Sequence, residues 1–244
     1  MTSGDAYTDS ERLLTELRKD LLLRVDDNTK QTYQRFFKEE VHCYGVKTAA
    51  VEKLAKHYFN EIRHLEKRKV WTLCEQLLAS DYCEDAFIAF DWAYRLRPHY
   101  QPEDFGRFEY WIQRYVNNWA KCDTLCNHSL GSFLERYPSF VDRLIGWTSS
   151  ENRWLRRAAA VSLILPARKG KFLPQIFEIA DRLLKDRDDL VQKGYGWMLK
   201  EASKSHRDEV FRYVMEHRKE MPRTSLRYAI EKMPEELRRR AMEK

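Results

Sequence analysis

The chain has 244 residues, with 44 Lys and Arg against 38 Asp and Glu, a net charge of +6 and a pI near 9.0. Hydrophobic residues make up 43%, enough for a sizeable core, and only 8 glycines and 7 prolines interrupt it, which argues against disorder beyond the ends and against sandwiches and barrels. No apolar run approaches the ~20 residues of a membrane span. The polar start MTSGDAYTDSERLL is no secretory signal. Five scattered cysteines read as reduced thiols of a cytoplasmic protein.

In chain order, residues 1–8 read as a flexible N-terminus and 9–244 as a single domain. Leucines in DSERLLTELRKDLLLR predict a first amphipathic helix over 9–24, stopped by Asp26, Asp27 and Asn28. A second runs from Thr29 to Glu40, and Gly45 marks a turn. Helices follow over 46–62 and 69–78, and Asp81 with Glu84 has the spacing of a capping box ahead of CEDAFIAFDWAYRL. Phe105, Phe108, Trp111 and Ile112 give 103–115 an inward stripe. NNWAKCDTLCNHSLGSFLERYP, ended by Pro138, is helical, and a short helix covers 140–148.

The segment NRWLRRAAAVSLIL, 152–165, has two faces. Trp154, Ala158, Val161 and Leu165 form the core-facing stripe, and Arg153 and Arg157, four apart, form a cationic shelf. PARKGK is a basic, non-helical corner. Helices follow over 172–185, from Asp188 onward, over 207–217 and over 223–231, with a short one after Pro234. No stretch alternates as a strand does. The expected fold is therefore all-α. Segments 136–165, 172–200 and 207–232 each read as a helix pair of roughly thirty to forty residues, the period of a HEAT-like solenoid, an α-α superhelix with a concave basic face.

Three of these segments carry candidate chemistry. Trp119 and Asp123 lie one helical turn apart, an indole beside a carboxylate. A carboxylate stabilises positive charge developing on a sugar, and an indole face attracts a cation. A core tryptophan beside a surface acid gives the same spacing. Arg157 is a candidate phosphate clamp, with Arg153 and Arg156 beside it, because the guanidinium fork matches phosphate oxygens. Trp197 lies four residues from Lys193, and Gly194 and Gly196 each cost ~1 kcal/mol in a helix, so tight packing or a close ligand must account for them. Arg168, Lys169 and Lys171 surround Gly170, and Lys47 follows Gly45; each could hold a backbone phosphate without reading sequence. Cys122, Cys126 and His128 lack a fourth ligand, so no metal is expected.

NNWAKCD, ENRWLRRAAAVSL and VQKGYGWMLKEASK together resemble the AlkD-type DNA alkylation repair family, glycosylases built from HEAT-like repeats. The resemblance spans roughly residues 29–235 and is weakest in the first two helices. It implies excision of cationic alkylated purines, such as 3-methyladenine and 7-methylguanine, from double-stranded DNA without deep base flipping. By that resemblance, Trp119 and Trp197 contact the deoxyribose, Asp123 stabilises the sugar cation and places the water, and Arg157 contacts a phosphate. Ala120 and Lys121 stand where members commonly carry aromatic bulk, which bears on the preferred lesion. A cationic base is already a good leaving group, so one carboxylate suffices where ordinary glycosidases use two. The expectation is a monomeric, monofunctional glycosylase that needs no cofactor and does not engage a membrane. The other readings are a catalytically silent HEAT-like protein that binds DNA structures and a HEAT-like scaffold for proteins.

Overall fold

The computed structural model describes residues 3–243, and among them the structure is helical, with one isolated antiparallel bridge between Val25 and Val46. The helices group into two units, one up to Tyr100 and one from Gln101. The first contains α1 (Ser3–Leu22), α2 (Asp27–Phe36), α3 (Thr48–Ile62), α4 (Lys67–Leu78) and α5 (Cys83–Arg95). Helix already runs through residues 3–8, where the sequence suggests a flexible lead; residues 1 and 2 lie outside the described residues. The break expected at the acidic trio falls between α1 and α2, and the trio also starts α2, because Asp26 accepts a hydrogen bond from Thr29 N at 2.7 Å and caps it.

In the first unit, α5 packs against α3 and α4. Trp92, fully buried, donates its indole N–H to the Ala55 carbonyl at 2.9 Å. The capping box expected at Asp81 and Glu84 does not form. Glu84 turns inward, and its carboxylate accepts from the backbone N–H groups of Tyr44, Gly45 and Val46 at 2.8–3.0 Å. One buried acid thus satisfies three donors of a loop that has no helix or sheet to bond to. Lys47 follows this loop.

The second unit contains α6 (Asp104–Tyr115), α7 (Trp119–Thr124), α8 (Gly131–Arg136), α9 (Val141–Trp147), α10 (Arg153–Val161), α11 (Ile164–Arg168), α12 (Leu173–Leu183), α13 (Asp189–Ala202), α14 (Arg207–His217), α15 (Arg223–Ile230) and α16 (Glu235–Met242). The pairs α9/α10, α12/α13 and α14/α15 fall on the three pairs expected from the sequence. They stack in two layers, as a helical repeat does. In one, α10 packs on α13 and α13 on α15. In the other, α9 packs on α12, and Phe177 of α12 stacks on Tyr213 of α14 at 4.8 Å.

The helix expected over 152–165 is broken into two, and Pro166 is the cause. It has no N–H to give the Ser162 carbonyl four residues back, and its ring crowds that oxygen. The chain turns at Ser162 and Leu163, with Ser162 Oγ bonded to the Ala158 carbonyl at 2.7 Å. The corner expected to be non-helical is helical through Arg168. Only the following turn departs, and Gly170 there has φ 75°, a left-handed conformation that glycine adopts without strain.

Candidate active site

Side-chain caps position the elements of the site. Asn118 accepts from Lys121 N at 3.0 Å and starts α7; Asn152 accepts from Trp154 N at 2.9 Å and starts α10. Asp188 accepts from Leu190 N and Val191 N at 2.9 and 3.3 Å and starts α13. These caps satisfy N–H groups that a helix start leaves without intrahelical partners. On α10, Trp154, Ala158 and Val161 are buried as expected. Arg157 is buried with them, and α7 packs against α10 at this point.

Asp123 and Arg157 meet there as a bidentate pair. Arg157 Nε donates to Oδ1 at 2.9 Å and Nη2 donates to Oδ2 at 2.7 Å. A third donor, Nη1, is bonded to the Leu190 carbonyl on α13. Leu190, Gly194 and Trp197 recur at i, i+4 and i+7, one stripe of that helix. Gly194 faces the arginine: a Cβ built there would lie 3.5 Å from Arg157 Cγ. Arg157 therefore bridges α7, which carries Trp119 and Asp123, and the α13 stripe that carries Trp197. The side chains of the pair are 13% exposed for Asp123 and 6% for Arg157, while Trp119 and Trp197 are half-buried.

Burial pushes the Asp123 carboxyl above the usual carboxylate range, and the Arg157 guanidinium pulls against that shift. A carboxylate offers about four lone-pair sites and Arg157 occupies two. The remaining two can accept from a water or face a developing cation. Asp123 is thus an oriented carboxylate, fixed by a donor that cannot itself lose its proton.

The other predicted cations do not form an open shelf. Arg153 pairs with Asp188 at 2.7 Å, and Arg156 pairs with Asp186 at 2.7 Å while bonding the carbonyls of Ser150 and Glu151. Lys193 pairs with Asp189 at 3.3 Å. In the basic corner, Arg168 meets Glu201 at 2.7 Å, and Lys169 and Lys171 share Glu135 at 2.8 and 3.2 Å. In the first unit, the exposed Lys47 meets Asp26 at 3.5 Å. The acids lie far from their arginines in sequence, so helical spacing alone does not reveal them.

Two further features escaped the sequence reading. Directly after α7, Leu125–Leu130 forms a π-helical turn, a widening often found at functional sites. Lys121 is fully buried, and its Nζ donates to Asn117 Oδ1 at 3.0 Å, tying down the turn that precedes Trp119. The glycine pair also resolves. A Cβ on Gly196 would lie 2.8 Å from the Ser225 carbonyl oxygen, so that residue serves the close packing of α13 on α15. Cys122 and Cys126 are buried, and burial pushes the Cys122 thiol well above its ordinary range.

A family model described as DNA alkylation repair enzyme matches residues 17–233, and the chain belongs to that family. The fold is also similar to a solved structure described as a predicted DNA alkylation repair enzyme from Enterococcus faecalis. The TM-score is 0.76 at 18% identity, covering 87% of this chain and 98% of that one. A search of curated proteins finds no match. The family places the chain in DNA repair, with DNA as its substrate. Among the described residues no helix is long and apolar enough to cross a membrane.

Proposed function

We propose that the protein is a monofunctional DNA glycosylase that hydrolyses the N-glycosidic bond of cationic alkylated purines, 3-methyladenine and 7-methylguanine, in duplex DNA. The observation that carries this reading is the Asp123 carboxylate, held by Arg157 one helical turn from Trp119 and beside the stripe that bears Trp197. The C1′–N bond breaks with its electron pair leaving on the base, which neutralises the alkylated purine. Positive charge grows on the sugar, where Asp123 stabilises it electrostatically. Trp119 and Trp197 present indole faces to the deoxyribose. Water adds at C1′ and its proton passes to Asp123 or to solvent, leaving an abasic site in an intact strand.

Arg157 takes a different part from the phosphate contact that the resemblance implies. Three of its donors are committed inside the protein, so it acts as the positioning residue for Asp123. The protein works as a monomer without a cofactor, and its five free thiols fit a reducing, cytoplasmic setting.

The test is release of free base from duplex containing 7-methylguanine. Asp123→Asn is expected to lower the single-turnover rate by roughly 10²-fold or more, on the scale of losing an electrostatic stabiliser. Trp197→Ala, at a half-buried position outside the ion pair, is expected to lower it while the protein stays folded by circular dichroism. Equal release by wild type and Asp123→Asn overturns the role of the carboxylate.

A further inference from the structure

With the predicted cations committed to carboxylates, the positive surplus of the second unit lies elsewhere. Arg187, in the turn between α12 and α13, is exposed. Arg223, the first residue of α15, and Arg227, one turn later, are also exposed. None of the three meets a carboxylate among the described residues. The acids flanking Arg187 are already taken: Asp186 by Arg156 and Asp188 by Arg153. Lys185 reaches Glu220 at 2.9 Å and so joins the turn that carries Arg187 to the turn that leads into Arg223. The contact of Gly196 with Ser225 holds α13 and α15 side by side. Arg187 and Arg223 therefore stand at the N-terminal ends of two neighbouring helices of the α10–α13–α15 layer, with Arg227 one turn into the second.

We propose that Arg187, Arg223 and Arg227 form a strip that tracks the DNA phosphate backbone beside the Asp123 site. The inference rests on the DNA-repair reading and goes beyond it by assigning where the backbone is held. A guanidinium already in a bidentate pair must give up a carboxylate to take a phosphate. An exposed, unpaired one need only shed water, and each phosphate it neutralises releases a counterion. These contacts fix position and do not read sequence. An acidic protein surface is the competing occupant, and the experiment separates the two.

Binding to an undamaged duplex is measured across a salt series for wild type, Arg187→Ala, R223A/R227A, and a charge-matched R238A/R239A variant on α16. The slope of log affinity against log salt is expected to become shallower by about 1 for Arg187→Ala and about 2 for R223A/R227A, and to stay unchanged for R238A/R239A. An unchanged slope in R223A/R227A, or an equal change in the α16 variant, overturns the strip. Absence of base release by wild type defeats the glycosylase reading and leaves this binding test standing.

Discussion

Arg157 holds both oxygens of Asp123, Nε on Oδ1 at 2.9 Å and Nη2 on Oδ2 at 2.7 Å, and so joins α7 to α10 through a buried ion pair. Its third bond, to the Leu190 carbonyl, brings α13 into the same contact. Three helices are thus fastened by one guanidinium.

That arrangement sets a stability expectation. Arg157→Met leaves the Asp123 carboxylate buried without its partner and is expected to destabilise the fold by about 3–5 kcal/mol. Adding Asp123→Leu to it removes the stranded charge, so the double variant is expected to be more stable than the sum of the single losses. Urea unfolding of the two single variants and the double supplies the cycle. Strictly additive losses would falsify the coupling.

The raised pKa of Asp123 fixes the direction of pH dependence. Catalysis needs the carboxylate, so single-turnover base release is expected to fall as pH drops, with its midpoint above the ordinary aspartate value of about 3.9. Stability carries the opposite sign. A carboxyl whose folded-state pKa exceeds its unfolded value favours folding at acid pH, and that contribution is lost as pH rises through the folded value. Rates corrected for spontaneous depurination, compared with Asp123→Asn, check the first statement. An acid limb that persists unchanged in the asparagine variant assigns it to another group.

The two glycines of α13 are expected to respond in opposite ways to alanine. At Gly196 the new Cβ would lie 2.8 Å from the Ser225 carbonyl and from Tyr228 Cβ, and relief requires a backbone shift, at a cost of about 1–3 kcal/mol. At Gly194 the nearest atoms are 3.5 Å away, so alanine fits and its helix propensity adds up to about 1 kcal/mol. Thermal unfolding of the two variants measures the difference, and a drop at Gly194 as large as that at Gly196 contradicts this account.

The repeat was readable because helix pairs leave a local imprint. The stripe of Trp154, Ala158 and Val161 announces a buried face wherever the rest of the chain lies. Trp119 and Asp123, four apart, were legible as a pair for the same reason. What paired with Asp123 was not, since Arg157 is 34 residues away and had every mark of an outward cation. Asp186 and Asp188 were hidden similarly, as turn residues whose carboxylates reach back to α10 while also bonding their own turn. The break at Ser162 follows from Pro166 and could have been read by counting four residues back. The π-helical turn left no comparable sign, because LCNHSL continues a helical stretch and nothing in its residue types distinguishes a widened turn from an α-helical one.

That turn makes residue count between α7 and α8 a structural quantity. Deleting one amino acid from Leu125–Leu130 would be absorbed as the segment relaxes into a regular helix, but deleting a second would rotate everything upstream by about 100° relative to α8. Asp123 would swing off its arginine and Trp119 with it, although every named side chain would still be present. Spacing across this segment should therefore tolerate the loss of one residue and not of two.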